Sequence, residues 1–558
     1  MLAVNAKYVH SSLSVMVLAG GIAKYAKAFH ETIVIEATIN HQKAETVASV
    51  ASYRPDVVGI STYIWNADWI EDALGLLREA LPGALFVLGG PEASFNAEYW
   101  MARGADYVLP GEGEFSLPPL LDMLDEATLT IKSGGEAAYP PLCPNTAPAQ
   151  SICTGAKPEA PQPLHNNEPI HPYIGISDEH LAAMLNGRIA YLETSRGCPF
   201  QCAFCLSGGS GVSFFPLDTA KEQVYKLSKS GSQTIKFVDR TFNCDAARAF
   251  ELIEYIIGLD TKCCFHFEVA ADLFDERTLS LIARAPPGRI QLEAGLQSFF
   301  APALQATSRH MDLDKAERNI AAILSGRNVH LHVDLIAGLP YETLCDFQNS
   351  FDRAYSLGVH TLQLGFLKLL HGSELRRRAE ALGICYGARP PYEIMRSPWL
   401  SPEDIAILKQ AENALQHTYN KSRFLSTLEY VLEASGARPF LLFSSLGAYA
   451  PNRGEHLADY AAQIYSFCVR LPGVDEGTLR DRMTCDWLCM VKGANMPSFL
   501  PVPYSRRKLA AEKAKQRLGR SAGRAETAVL GSGKGVVVDV NDRDPVTGLY
   551  RIHFFELD

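Results

Sequence analysis

No run of about 20 apolar residues occurs anywhere in the chain, so no membrane-spanning helix is predicted. No leader is expected either, because the N-terminal residues lack a basic stretch followed by an apolar block and a small-residue cleavage site. The expectation is a cytoplasmic protein with no membrane partner. Basic residues are in deficit, 52 Lys and Arg against 62 Asp and Glu. The resulting formal charge of -10 removes any global attraction to nucleic acid, which is therefore not an expected partner. Thirteen cysteines in a long chain without a secretion signal argue for free thiols and metal ligands rather than a disulfide framework.

What is present fills 558 residues at 47% hydrophobic composition, too long for one core. Composition divides the chain at 1–125, 126–187, 188–390 and 391–558. In the first part, apolar runs at 32–39, 56–63, 84–90 and 105–109 read as strands. They alternate with helical text near 11–28, 42–53, 67–80 and 113–125. Only Met1–Val4 precede the first loop, so the first strand is expected to be clipped. Such alternation predicts a doubly wound parallel sheet, with ligands held beyond the carboxyl ends of its strands. Two glycine-bearing turns fall at those ends, Gly89-Gly90-Pro91-Glu92 and Gly111-Glu112-Gly113-Glu114. Glycine there serves either a close backbone approach to a ligand or a plain reversal of the chain.

Residues 126–175 are rich in Pro, Ala and Asn and lack a sustained period, which predicts an extended linker. Cys143 and Cys153 within it have no nearby histidine and are read as incidental.

A predicted strand, 188–194, runs into Ser195-Arg196-Gly197-Cys198-Pro199-Phe200-Gln201-Cys202-Ala203-Phe204-Cys205. Three thiolates on one tight loop suit three corners of a [4Fe-4S] cube and leave the fourth iron open. A structural zinc site would want a fourth protein ligand at comparable spacing, and none follows. Gly208-Gly209-Ser210-Gly211, just beyond, is either a close approach to the cluster or a flexible turn.

Strand-like runs then recur at 234–239, 264–269, 289–295, 330–337 and 361–367, giving six strand and helix repeats with the first. Repeats of this kind carry their chemistry on the loops at the strand C-termini. Polar residues collect there: Asp239 after the second strand, Glu268 on the third, Glu293 and Gln297 on the fourth, and Asp334 and Gly338 on the fifth. Cys244, Cys263, Cys264 and Cys345 fit no cluster spacing and are expected to pack in the core.

Beyond about 390 the text turns helical, near 402–418, 422–436 and 455–470. Cys485 and Cys489 are too few for a second cluster and are expected to pack against Trp487. Residues 505–524 read as a basic, helical stretch, which is either a contact for RNA phosphates or an acidic partner or, as is more common for such runs, a solvated face. A terminal hairpin is predicted over 534–556, turning through Asn541–Pro545.

The triad spacing, with Phe204 just before the last cysteine, is that of the radical S-adenosylmethionine (SAM) superfamily. The order of the N-terminal elements and their glycine turns resembles the cobalamin-binding domain that precedes the catalytic domain in one large class of these enzymes. The resemblance implies a partial six-unit barrel and a [4Fe-4S] cluster on Cys198, Cys202 and Cys205. It places Asp239, Glu293, Gln297, Asp334 and Gly338 in the SAM pocket, and Gly89, Gly90, Gly111 and Glu112 at the cobalamin. It also implies an electron donor, either a reductase or a flavodoxin or ferredoxin, and reductive cleavage of SAM to a 5'-deoxyadenosyl radical. Methyl transfer to an unactivated carbon is the leading outcome. Cyclisation, oxidation or rearrangement, methylthio transfer, and a corrinoid sensor without turnover are the alternatives. One departure concerns cobalt. The Asp-x-His-x-x-Gly motif that supplies a lower histidine ligand is absent, and His10 in Asn5–Ser11 is expected to line the pocket or hydrogen bond rather than bind metal. Neither the substrate nor a catalytic side chain is assigned from the sequence.

Overall fold

The computed structural model describes residues 1–132, 168–209, 211–452, 454–491, 496–500, 509, 512–514 and 525–557. The chain forms two compact units. One comprises Met1–Val269, Thr307–Arg309 and Lys368–Ile394, and the other comprises Ala270–Ala306, His310–Leu367 and Met395–Asp558.

The first unit opens with β1 (Leu2–Asn5), β2 (Ile35–Thr38), β3 (Val57–Ser61), β4 (Leu85–Gly89) and β5 (Tyr107–Leu109), ordered β2-β1-β3-β4-β5 and parallel throughout. Short as it is, β1 pairs with β2 over its whole length, from Leu2 opposite Ile35 to Asn5 opposite Thr38. Parallel strands need crossovers, and helices supply them on both faces. On one face, Ile70, Ala73, Leu74 and Leu77 of the helix Ala67–Ala80 recur at helical spacing and bury against Val58, Ile60, Phe86 and Leu88. Ile22 of the helix Leu13–Tyr25 and Leu117, Leu120, Leu121 and Leu124 of the helix Gly113–Lys132 cover Val87, Tyr107 and Leu109 on the other. The predicted doubly wound domain is therefore present.

The six predicted repeats are also present as strands: β6 (Ile189–Leu192), β9 (Thr234–Phe237), β10 (Cys264–Val269), β11 (Ile290–Gln297), β12 (Val329–Ala337) and β13 (Thr361–Phe366). They make a six-stranded parallel sheet in chain order. The hairpin β7 (Ser195–Cys198) and β8 (Gly211–Phe214) lies between the first two of these strands and was not predicted.

In the second unit, β11 buries Ile290, Leu292, Ala294 and Leu296, while Gln291, Glu293, Gly295 and Gln297 are half-buried. β12 repeats this alternation, burying Val329, Leu331, Val333, Leu335 and Ala337 and leaving His330, His332 and Asp334 half-buried. Strands of a fully covered parallel sheet usually read as unbroken apolar runs. A polar face on adjacent strands is the mark of a surface that meets solvent or ligand.

The helices Pro402–His417, Leu425–Ser435, Pro439–Tyr449, Leu457–Cys468 and Glu476–Met490 follow in the same unit. Ser401 and Asp404 form a capping box with Pro402 at the first helical position, so the start of this region is set by local chemistry. The C-terminal strands Ala525–Val529, Gly535–Arg543 and Tyr550–Phe555 form a three-stranded antiparallel sheet, one strand more than the predicted hairpin. The chain turns at 544–549 rather than at Asn541–Pro545, because Asp544 Oδ1 accepts from the backbone N–H groups of Val546 and Thr547, both at 2.9 Å.

All eleven cysteines of the described residues are free. Cys485 and Cys489 are half-buried, and Cys485 packs against the core formed by Leu488, Ala528, Val536 and Val538. Cys345 is exposed rather than in the core, because it stands in the first turn after the cap Thr343 of the helix Leu344–Ser356, outside that helix's buried stripe. Cys143, Cys153 and nearly all of the basic stretch 505–524 lie outside the described residues.

Candidate functional site

The triad loop leaves β7 and returns on β8, with Cys198 directly opposite Gly211, so a two-stranded ladder closes the loop at its base. Its middle is pinned from two sides. The Ala203 N–H donates to the Thr307 carbonyl and the Leu375 N–H donates to the Ala203 carbonyl, each at 2.8 Å. Cys198 and Cys202 are buried and Cys205 half-buried. Every sulfur has a polar group beside it: the Ser207 N–H donates to Cys205 at 3.4 Å, Arg309 Nη1 lies 3.9 Å from Cys202, and Thr241 Oγ1, which donates to the Arg240 carbonyl, lies 3.5 Å from Cys198. Burial pushes the Cys202 thiol up and Arg309 pulls it down, while Cys205 and Cys198 lie close enough to push it up again. The three sulfurs thus share one electrostatic neighbourhood. Gly208 passes close to the backbone of Gln201, and Ser210 lies outside the described residues.

Sequence reasoning missed Arg309. It comes more than 100 positions after Cys202 in a loop without a motif, and its guanidinium also lies over the Phe200 ring at 5.1 Å.

Two further side chains hold the loop. Asp239 is fully buried, and its carboxylate accepts from the Thr194 N–H at 3.0 Å, Thr194 Oγ1 at 2.7 Å and Ser195 Oγ at 2.5 Å. It therefore braces the β6–β7 junction from below. Burial raises its pKa to about 6, against the pull of those hydrogen bonds. Arg196, two residues before Cys198, gathers three carboxylates: Glu112 at 2.5 Å, Glu114 at 2.7 Å and Glu193 at 2.6 Å. Burial disfavours its charge, but Glu193, Glu114 and Glu112 outweigh that and hold the guanidinium firmly protonated. Glu112 and Glu114 belong to the Gly111–Glu114 turn of the N-terminal sheet, so one side chain ties that turn to the cysteine loop. Gly111 itself has φ +79°, and a Cβ on Gly113 would stand 2.8 Å from Leu18.

In the strand order 2-1-3-4-5 the winding reverses between β1 and β3, which opens a crevice between the loops that follow them. After β3, Tyr63 and Trp65 stack at 4.3 Å, with Trp65 half-exposed. The turn after β4 is zipped to this loop by two backbone hydrogen bonds. The Thr62 N–H donates to the Gly89 carbonyl at 2.7 Å, and the Glu92 N–H donates to the Thr62 carbonyl at 3.3 Å. Gly90 is compelled here, because its φ is +92° and a Cβ would sit 2.6 Å from the Thr62 oxygen. Thr62 Oγ1 is buried with no hydrogen-bond partner among the described residues. His10, in the loop after β1, bonds Tyr191 Oη through Nδ1 at 2.6 Å, which fits the hydrogen-bonding role expected of it.

In the second unit, Glu293 of β11 stands opposite His332 of β12, with Asp334 two residues along the same face. His332 Nε2 lies 2.9 Å from Asp334 Oδ1, and the three groups present ligand atoms within 4.8 Å of one another. Gln297 follows a β-bulge at φ +70° and folds back over Gly295, where any Cβ would meet its amide at 2.1 Å. Its Oε1 is buried with no hydrogen-bond partner among the described residues. Gly338 turns the chain after β12 at φ +97°. Of the residues named from sequence, Glu293, Gln297, Asp334 and Gly338 therefore share the C-terminal end of β11 and β12, and Asp239 serves the cysteine loop.

Three family descriptions match the chain. B12 binding domain covers residues 1–121, Radical SAM superfamily covers 192–354, and a protein of unknown function family, DUF4080, covers 380–529. A 2-(S-pantetheinyl)-carbapenam-3-carboxylate methyltransferase from Streptantibioticus cattleyicolor is 24% identical over 55% of this chain and 46% of its own length. TokK, a cobalamin-dependent radical SAM methyltransferase from Streptomyces tokunonensis, is 23% identical over 55% of this chain and 46% of its own. The chain spans about half the length of these curated relatives. Among solved structures, the cobalamin-dependent SAM radical enzyme OxsB aligns with a TM-score of 0.55 at 13% identity, over 87% of this chain and 78% of that one. The radical SAM methyltransferase TsrM from Kitasatospora setae aligns at 0.51 and 16% identity, over 72% and 80%. With its triad loop, its doubly wound N-terminal sheet and these matches, the chain belongs to the radical SAM superfamily and carries a B12-binding domain in front of the radical SAM domain.

Proposed function

We propose that this protein is a cobalamin-dependent radical SAM enzyme that transfers a methyl group to an unactivated carbon. The observation that carries the reading is the Arg196 bridge, which couples the cysteine loop to the Gly111–Glu114 turn of the B12-binding domain. The residues fit the groups this reading requires. Three clustered thiols, two of them beside a hydrogen-bond donor, are the donor set of a [4Fe-4S] cluster with one open iron. The orphaned Gln297 Oε1 fits a hydroxyl or ammonium donor of SAM, and the orphaned Thr62 Oγ1 fits a polar group of a corrinoid at the switch point.

When bound, the cluster and SAM supply radical initiation and the corrinoid supplies the methyl carrier. The chain's own residues hold and orient. Cys198, Cys202 and Cys205 are the cluster ligands, and Arg309 places a positive charge beside them. Gln297, Glu293 and Asp334 would accept hydrogen bonds from SAM, and Gly338, at φ +97°, turns the chain after β12 beside them. Gly89, Gly90, Gly111 and Glu112 form the turns at the corrinoid. A cytoplasmic setting and an electron donor, a reductase or a flavodoxin or ferredoxin, belong to the same reading. No helix among the described residues is long and apolar enough to cross a membrane.

The test is anaerobic purification with cobalamin supplied, followed by assay of iron, sulfide, cobalt and deoxyadenosine released from SAM under a strong reductant. About four irons and about one cobalt per chain are expected, with deoxyadenosine formation abolished in Cys202→Ala. A cluster without cobalt would sink the methyl-transfer reading. A second reading rests on the anaerobic magnesium-protoporphyrin IX monomethyl ester cyclase of Rubrivivax gelatinosus, 23% identical over 60% of each chain. It predicts ring closure with no methyl group added to the product.

A further inference from the structure

The segment Lys368–Ile394 follows the last strand of the six-stranded sheet yet belongs to the first compact unit. Its end, from residue 380 on, is the beginning of the DUF4080 match. What draws it back is a set of contacts to the turn after β4. Tyr392 Oη donates to Glu92 Oε1 at 2.5 Å, across 300 residues of sequence, and both residues are about 5% exposed or less. Glu92 stands in the Gly89-Gly90-Pro91-Glu92 turn, whose backbone is zipped to Thr62. Gly372 lies so close to Phe95 that a Cβ there would be 2.3 Å from the ring. The tyrosine is held on every side. Its carbonyl accepts from the Leu369 N–H at 2.9 Å, His371 meets its ring edge-on at 4.9 Å, and the Arg376 guanidinium lies over it at 4.8 Å. Its φ is +55°, a conformation that a bulky residue seldom adopts unless its surroundings determine it.

We propose that Tyr392 is a positioning residue for the corrinoid. Through Glu92 it fixes the Gly89–Phe95 turn at the carboxyl edge of the N-terminal sheet, which makes the start of the DUF4080 region part of the corrinoid-binding machinery. The inference rests on the corrinoid reading given above. The physical ground is that the turn carries two of the proposed corrinoid glycines, and the buried Tyr392 phenol ties its Glu92 to the segment Lys368–Ile394 while backbone bonds tie it to Thr62. A turn already held in its binding shape has less conformational entropy to lose when a ligand arrives.

The experiment titrates the full-length, cluster-reconstituted protein with hydroxocobalamin, reading bound cobalamin by absorbance after gel filtration. Wild type is compared with Tyr392→Phe, Glu92→Leu and Glu92→Gln. Tyr392→Phe keeps the ring against His371 and Arg376 and removes only the hydroxyl. It is expected to weaken cobalamin binding about tenfold, as is Glu92→Leu. Glu92→Gln keeps an acceptor oxygen and is expected to stay within about twofold of wild type. Iron content is expected to be equal in all four proteins. Hydrogen exchange in the cobalamin-free protein provides a second measure, with faster exchange at residues 89–96 in Tyr392→Phe. Wild-type affinity in both Tyr392→Phe and Glu92→Leu overturns the proposal and leaves the corrinoid reading intact. Equal losses in all three variants overturn it too, because packing rather than the hydrogen bond would then be responsible. Wild-type protein that binds no cobalamin overturns the corrinoid reading first and the proposal with it.

Discussion

Arg196 Nη1 lies 2.5 Å from Glu112 Oε1, joining the strand that leads into the cysteine triad to the turn after the last strand of the B12-binding domain. Three carboxylates around one half-buried guanidinium leave a concentrated negative charge if the arginine is removed. Arg196→Met is therefore expected to destabilise the protein by about 3 kcal/mol and to lower iron and cobalt retention together. Glu112→Gln, which leaves two carboxylates, is expected to cost less than half as much. Melting temperature and metal analysis check both, and unchanged values in Arg196→Met would show that the bridge couples nothing.

Arg309 places its charge 3.9 Å from Cys202 Sγ. A cation beside a cluster favours the reduced, more negative form. Arg309→Gln is expected to shift the cluster midpoint potential in the negative direction, by about 59 mV for every 1.4 kcal/mol of interaction lost in a one-electron couple. Redox titration followed by electron paramagnetic resonance measures it. A shift in the positive direction would be incompatible with this geometry.

Glu342, directly beyond the Gly338 turn, is fully buried, with Ser298 Oγ at 2.5 Å and Ser350 Oγ at 3.3 Å. Burial raises its pKa to about 8, against the hydrogen bonds from the two serines. Because the folded value lies above the unfolded one of about 4.3, the folded state binds more protons between them. Stability is therefore expected to fall as pH rises from about 4.5 to about 8 and to level off above that. Glu342→Gln, neutral throughout, is expected to flatten this slope and to be the more stable protein at pH 8.5, by about 1–3 kcal/mol. Urea denaturation at pH 5.5 and 8.5 tests it, and equal slopes in the two proteins would rule the account out.

Gly90 combines φ +92° with a Cβ position 2.6 Å from the Thr62 oxygen. Gly90→Ala is expected to cost about 2 kcal/mol and to pry the turn after β4 away from β3. Gly83→Ala, where a Cβ would meet nothing within 4 Å, serves as the neutral control in the same denaturation experiment.

Some of this architecture was written in short stretches of chain. Strand and helix alternate with a period set by backbone geometry, so β1 to β5 and the six later strands were legible as runs such as TIKFVD and HLHVDLIA. The triad was legible because one loop supplies all three thiols. The hairpin that closes it was not, since SRGC and GVSF are too short and glycine-rich to read as strands before their pairing is known. Asp239 illustrates a different gap. The resemblance placed it among the residues that contact SAM or stabilise the loops that do, and no local pattern recorded the partners its carboxylate meets at the β6–β7 junction, Thr194 and Ser195.

The sequence by itself determined the parallel α/β class, the order of the elements and the cysteine loop, because periodicity, turn chemistry and ligand spacing act within a few residues of one another. Only the tertiary structure decided which distant partners those elements meet: Arg196 with Glu112, Arg309 with Cys202, and Tyr392 with Glu92 across 300 positions. A charge or a phenol carries no local record of its partner. That choice is made when the packed fold brings the two within hydrogen-bond distance and removes the water that would otherwise compete.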